Sequence, residues 1–307
     1  MARREFKFTT LQIDKLNKVK QVLQDLNEYK PLTLRQIYYQ LVSKGYIPNN
    51  KSQYGMLSNL LKWARIKEFI DWNDIEDRVR VFEDLTGWHC KETFIKASTI
   101  SYLTSYNRNL LNNQDVYLEC WIEKDALRGI FTKVAGQYSV PVVVCRGFSS
   151  ASFLNDFKER VSHQDNKTVM LYFGDFDPSG MEMLKAMETT LEDEMGVYGV
   201  EFKRIALLKD DITKYKLPNN PDAIKKSDTR TEKHLLAYGD LAVELDALPP
   251  AVLEEKIRKA IEAEIDMTTY SEEKNEEMYD LNDISILKSR IKTFINSIQK
   301  KEGDKKP

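Results

Sequence analysis

Three carboxylates in this 307-residue sequence have types and spacing suited to metal-assisted chemistry on phosphate esters. Glu123 follows an apolar run at 116–122. Asp175 and Asp177 stand in Gly174-Asp175-Phe176-Asp177-Pro178-Ser179-Gly180, directly after a second run at 168–173. Short apolar runs separated by helix-length segments read as buried strands of a parallel sheet, and such sheets bind ligands beyond the carboxyl ends of their strands. Alternation along extended backbone sends Asp175 and Asp177 to one side. Carboxylates meeting there repel one another unless a cation lies among them, and an all-oxygen donor set selects Mg²⁺, completed by water and a substrate phosphate. A DxD pair alone can also be a helix cap, but Pro178-Ser179-Gly180 suits a tight strand-to-helix turn. Glu244 and Asp246, at the end of a run at 241–245, offer either a second metal position or a cap for the next helix. Arg146-Gly147 follows the run at 140–145 on the same edge, where glycine admits close backbone approach and arginine can clamp a phosphate. Lys225, Lys226 and Arg230 surround Asp228 in a segment that reads as a solvated loop.

A second reactive residue lies near the other end of the chain. Residues 34–42 form a helix behind a Thr33 cap, stopped by Gly45. At ~100° per residue, Ile37, Tyr38, Leu41 and Val42 share the buried stripe with Leu34, which makes Tyr38 a core residue; Tyr39 falls at about 140°, on a polar face beside Arg35. An exposed tyrosine next to arginine can simply hydrogen-bond a DNA phosphate. With a metal site downstream, nucleophilic attack on phosphorus is the better reading.

The elements that must position these groups fall into two patterns. A helix over residues 10–28 behind a Thr cap, the helix carrying Tyr39, and a third after Ser52 with Leu57, Leu60, Leu61 and Ala64 on one face precede a short mixed stretch at 69–81, the size of a β-wing. Three short helices and a wing make a winged helix-turn-helix, which leaves Lys51, Lys62 and Arg65 for DNA. After a helical segment at 93–111 the pattern alternates, with strands at 116–122, 140–145, 168–173, 200–207 and 241–245. Helices fall at 126–135, 150–161, 180–194, 229–237 and 249–265, which forces parallel pairing. The expected organisation is α/β: an N-terminal winged-helix domain (1–92), a mainly parallel-sheet domain (93–270), and a C-terminal amphipathic helix with a charged, disordered tail (271–307).

Composition bounds the possibilities. Hydrophobic residues make up 42% and charged residues 31%, and no apolar stretch approaches a membrane span. The basic start lacks an apolar signal region, so the expected compartment is the cytoplasm. Three cysteines without CxxC spacing read as reduced packing residues, and the three scattered histidines build no local zinc cluster. The net charge of −2 hides an asymmetry: residues 1–67 carry 13 Lys/Arg against 4 Asp/Glu, with no acid between Glu28 and Glu68. A basic end joined to an acidic remainder suits polyanion binding at one and metal at the other.

Glu123-Lys124-Asp125-Ala126 and Gly174-Asp175-Phe176-Asp177-Pro178-Ser179-Gly180 together resemble the glutamate and paired-aspartate motifs of the Toprim domain. Haloacid-dehalogenase-like hydrolases use a similar aspartate pair, but at the first strand of their domain. A winged helix bearing Arg35-x-x-Tyr38-Tyr39 ahead of a Toprim domain resembles the topoisomerase VI A subunit and the meiotic double-strand-break transesterase, over residues 30–210. The chain is most similar to the stand-alone A-subunit homologues called Mini-A, carried by phages and mobile elements. The resemblance implies that Tyr39 is the nucleophile and that Glu123, Asp175 and Asp177 bind metal. It implies a homodimer in which the tyrosine of one subunit works with the metal site of the other, leaving 5′-phosphotyrosyl links in double-stranded DNA. No glycine is followed by Lys-Ser/Thr, so no ATPase motif is present, and contact with a B-type ATPase partner is not established. The expected function is Mg²⁺-dependent DNA cleavage by tyrosine transesterification, in which Arg35 stabilises developing charge. The alternatives are a hydrolytic Toprim endonuclease, similar to overcoming-lysogenization nucleases or the Wadjet nuclease subunit, in which Tyr39 only positions DNA, and a non-catalytic DNA-binding adaptor.

Overall fold

Helical periodicity in the first 70 residues becomes three helices in the computed structural model, which describes residues 6–76, 86–145, 147, 150–224 and 230–303. Helix α1 (Thr10–Asp25) opens on a capping box, Thr9 Oγ1 accepting from Gln12 N–H and the Gln12 side chain accepting from Thr9 N–H. A two-residue strand β1 (Leu32–Thr33) leads into α2 (Leu34–Ser43), capped in the same way by Thr33 and Gln36 and followed by Gly45 at φ +70°. Helix α3 (Lys51–Ile66) starts at an Asn50 cap and buries Leu57, Leu60, Leu61 and Ala64, the face its spacing predicts. Strand β2 (Ile75–Glu76), inside the stretch expected to be a wing, pairs with β1 in parallel. The rest of the expected wing, residues 77–81, lies outside the described residues.

After α4 (Lys91–Thr104) comes the alternating part. Its elements are β3 (Val116–Ile122), α5 (Arg128–Ala135), β4 (Val142–Val144), α6 (Ala151–Val161), β5 (Lys167–Phe173), α7 (Pro178–Thr189) and β6 (Val200–Ala206). The strands form one parallel sheet in the order β4-β3-β5-β6. Helices α8 (Lys209–Tyr215), α9 (Thr231–Tyr238), α10 (Pro250–Glu262) and the long α11 (Met267–Gly303) complete the chain. The protein is therefore mixed α/β with parallel sheets.

Two compact units result, one of Met1–Arg80 with Asp115–Glu264, the other of Val81–Gln114 with Ile265–Pro307. In the first, β3 and β5 are almost wholly buried, and Trp121, Met170 and Tyr172 pack against Leu154 and Phe157 of α6 and Met183 of α7. Glu119 lies inside this core without exposure. Its carboxylate accepts from Tyr117 Oη (2.6 Å), Trp121 Nε1 (2.8 Å) and both Nε and Nη2 of Arg160 (2.7 and 3.1 Å), which satisfies the buried charge.

Three expectations are corrected. Residues 241–245 form no strand: Val243 makes a single antiparallel bridge to Phe176, and Leu245–Ala247 turn into a 3₁₀ helix ahead of Pro249-Pro250, so the sheet has four strands. Helix α8 went unpredicted because its seven residues are too few for a periodic signal. Of the charged tail expected to be disordered after the amphipathic run, the described part continues α11 to Gly303, and residues 304–307 lie outside the described residues. Among the described residues no helix is long and apolar enough to cross a membrane.

Candidate functional site

The chain passes from β3 outward to β4 on one side, while β5 continues to β6 on the other, so the order reverses between β3 and β5. A crevice at the carboxyl ends follows from that reversal. Glu123 is the first residue past β3, and Asp175 and Asp177 follow β5. Glu123 Oε2 accepts from Asp175 N–H at 2.9 Å; Asp175 Oδ1 accepts from Leu245 N–H at 2.9 Å; Asp177 Oδ1 accepts from Gly180 N–H at 2.6 Å and caps α7, which has Pro178 in its first turn. Backbone donors thus pin each carboxylate by one oxygen, and Asp177 acts as a helix cap as well as an edge acid.

Lys124 supplies the positive charge. Its Nζ lies 2.6 Å from Asp175 Oδ2 and 3.9 Å from Glu123 Oε1. The three acids still act on one another: burial first, then the neighbouring charge of Asp175, pushes Glu123 up to about 7, and burial also raises Asp177. Three carboxylates against one ammonium leave net negative charge, and all-oxygen donors are the chemistry a hard divalent cation prefers. Among the described residues no three His, Cys, Asp or Glu side chains are gathered closely enough to hold a metal ion. The Lys124 ammonium stands among the acids instead, so a cation entering there has to displace it.

The glycines of the paired-aspartate motif have steric reasons. A Cβ on Gly180 would lie 2.4 Å from Asp175 O and 3.2 Å from Glu123 Oε2, and one on Gly174 would lie 2.5 Å from Tyr172 Oη. Behind the loop, Arg204 of β6 donates to Leu207 O (3.1 Å), Gly180 O (2.9 Å), Gly174 O (3.1 Å) and Asp175 O (2.5 Å), cross-linking the backbone that holds the acids.

Helix α2 meets this edge within the same unit. Arg35 Nε donates to Asp246 Oδ2 at 3.0 Å, Arg35 Nη2 pairs with Glu244, and the guanidinium sits 5.8 Å from the centroid of the Tyr39 ring. Because Leu245 N–H holds Asp175, a continuous path runs from Tyr39 through Arg35, Asp246 and Leu245 to the paired aspartates. Glu244 and Asp246 hold Arg35 here, and they do not cap α10, whose cap is Pro249. Asp246 is completely buried, and that burial raises its carboxyl despite Arg35.

Tyr39 departs from the helical-wheel expectation. It is 4% exposed, next to Tyr38 at 3%, because the turn containing Asp246 packs on the polar side of α2, a contact no single-helix wheel contains. Burial raises its phenol well above the ordinary tyrosine range, with Arg35 opposing. A cleft of about 240 Å³ still reaches it, lined by Arg35, Tyr39, Lys51, Tyr54, Asn220 and Glu244. Tyr38 takes the core role expected of it, its hydroxyl accepting from Asn50 N–H at 2.8 Å. Asn49 Nδ2 donates to Asn219 O (3.1 Å), tying the α2–α3 turn to the loop that forms the far wall of the cleft.

Of the basic residues expected at DNA, Lys51 is exposed at the cleft and Lys62 on the outer face of α3. Arg65 is half-buried with its guanidinium 5.0 Å from the Trp72 ring centroid. Arg146, with Lys225, Lys226 and Asp228, lies outside the described residues. The sequence reading missed the roles of Lys124 and Arg204. Lys124 was visible in the Glu-Lys pair, whereas Arg204 is one basic residue in an alternating strand and carries no local signal. No protein-family model matches the chain, and no curated protein matches it in sequence.

Proposed function

We propose that this chain is a Mg²⁺-dependent DNA-cleaving transesterase, a winged helix joined to a Toprim domain on the plan of the topoisomerase VI A subunit, acting as a homodimer on double-stranded DNA. The observation that supports this is the meeting, in one compact unit, of Tyr39 and Arg35 from a basic helical layer with the sheet edge bearing Glu123, Asp175 and Asp177, so that a single chain joins the groups which the resemblance divides between two subunits. Those three acids would hold Mg²⁺ once the Lys124 ammonium gives way and their side chains close together; the ion would supply neutralisation of phosphate and leaving-group charge. Tyr39 Oη attacks phosphorus: a Tyr–O–P bond forms, the P–O3′ bond breaks, the phenol proton is lost and the departing 3′ oxygen gains one. The phosphoester energy stays in the tyrosyl link, so the strand can be resealed. A phosphate entering the cleft replaces Glu244 on Arg35 Nη2, while the buried Asp246 continues to hold Nε and aims the guanidinium.

A second reading has a specific observation in its favour. With Tyr39 only 4% exposed, a water molecule reaches the acid edge more readily than the phenol does in the arrangement seen here, and the protein would then be a hydrolytic nuclease. Supercoiled plasmid incubated with the protein and Mg²⁺, stopped with detergent and run with and without protease separates the two. Cut DNA that enters the gel only after protease, lost in Tyr39→Phe, supports the transesterase. Cutting indifferent to protease and retained in Tyr39→Phe selects the nuclease, and metal-independent binding with no cutting refutes both in favour of an adaptor.

A further inference from the structure

The second unit has an unexplained face. Residues 105–114 clamp the start of α11: Arg108 Nε and Nη1 pair with Glu273 (2.7 Å) and Asp280 (2.8 Å), Arg108 N–H reaches Glu277 (3.2 Å), and Asn113 holds Glu273 (2.7 Å). These contacts define the inner side of α11, which continues through the half-buried Ile284, Lys288 and Ile291. At ~100° per residue, Tyr279, Asp283, Ile286, Leu287, Arg290 and Phe294 fall together in a separate arc of about 100°. All six are exposed; the four apolar ones are 68% (Tyr279), 48% (Ile286), 49% (Leu287) and 65% (Phe294) exposed. Asp283 and Arg290 make no ion pair among the described residues, although each lies on an apolar stripe.

The order of these residues is palindromic in chemistry: aromatic, acid, two aliphatics, base, aromatic. Identical helices pairing antiparallel about a two-fold axis between Ile286 and Leu287 set Asp283 opposite Arg290 of the second copy. The same axis sets Tyr279 opposite Phe294, each pair occurring twice. A parallel pairing would instead set like charges together, and a partner unrelated to this chain would not require self-complementarity. We infer that this outer stripe of α11 is a self-association surface, and that its occupant is α11 of a second copy, packed antiparallel. This rests on, and makes specific, the homodimer in the proposed function.

The stripe spans about 24 Å of helix, and an interface this small belongs to the weak end of specific association, so the dimer should dissociate in the micromolar range. Sedimentation equilibrium of the full chain between 1 and 100 µM should show a monomer–dimer equilibrium. Asp283→Arg or Arg290→Asp alone should weaken it at least tenfold, and the double charge swap should restore it to within about threefold. Leu287→Asp should leave a monomer with unchanged helical circular dichroism. A monomeric wild-type chain at 100 µM, a dimer indifferent to both single reversals, or a double swap that fails to recover would each overturn the inference. Sedimentation needs neither DNA nor metal, so its failure leaves the reading of Tyr39 untouched, and failure of cleavage leaves this interface untouched.

Discussion

Arg35 is the joint between the helical layer and the acid edge, and removing it is the sharpest test of that contact. In Arg35→Leu the completely buried Asp246 and the nearly buried Glu244 lose their cation. Breaking a buried pair by deleting one partner costs roughly 3–5 kcal/mol, because the remaining charge has no water to turn to. Arg35 keeps 32% of its side chain in solvent, which places the expected loss near the low end. At about 3 kcal/mol, and roughly 2–4 °C per kcal/mol for a unit of this size, the melting temperature should fall by about 6–12 °C. Asp246→Asn removes the charge with little change of shape, so the double variant should recover part of the loss, with a coupling of at least ~1.5 kcal/mol in a double-mutant cycle. The pH dependence has a definite sign. Asp246 is already raised by burial, and without Arg35 it rises further, so the folded state holds the proton more tightly than the unfolded chain. Stability of Arg35→Leu relative to wild type should therefore be highest in acid and decline as pH rises from the ordinary carboxylate value through the raised one. Thermal melts followed by circular dichroism at several pH values, with urea titrations for the cycle, read all of this. A melting temperature within 2 °C of wild type, or a cycle additive within ~0.5 kcal/mol, would refute the joint.

Other changes test the acid edge and the core separately. Gly180→Ala forces a Cβ against the Asp175 carbonyl, which is backbone and cannot swing away; it should cost about 1–3 kcal/mol or more and diminish stabilisation by Mg²⁺ in thermal melts. An unchanged melting temperature would show that the loop relaxes. On the proposed Mg²⁺ site, Lys124→Met removes an ammonium that would compete with the ion, so Mg²⁺ should bind on the order of tenfold more tightly, ~1.4 kcal/mol, in calorimetric titration; equal or weaker binding would mean that Lys124 does not occupy the cation position. Glu119→Ala strands Arg160, the buried Trp121 Nε1 and the half-buried Tyr117 hydroxyl and should destabilise by about 3 kcal/mol while leaving Mg²⁺ affinity as it was. A change in that affinity would contradict its placement as a core residue apart from the acid edge.

Local chemistry made much of this protein legible from its residues. Thr9 and Thr33 cap their helices because a hydroxyl and a glutamine three positions on satisfy orphan backbone groups whatever lies around them. The apolar run of β3 and the turn at Pro178 are likewise decided by nearest neighbours, so Glu123, Asp175 and Asp177 could be placed at strand ends in advance. Tertiary structure alone decided which side of α2 is covered, because Tyr39 is buried by a turn more than 200 residues away in sequence, and no helical wheel contains that partner. It also made Glu244 and Asp246 the anchor of Arg35, brought Arg204 behind the aspartate loop, and put Lys124 among the acids. The physical reason is the same in each case: a charge in a low-dielectric interior takes its partner from whatever the fold brings within reach, and that choice is made by packing, not by sequence spacing.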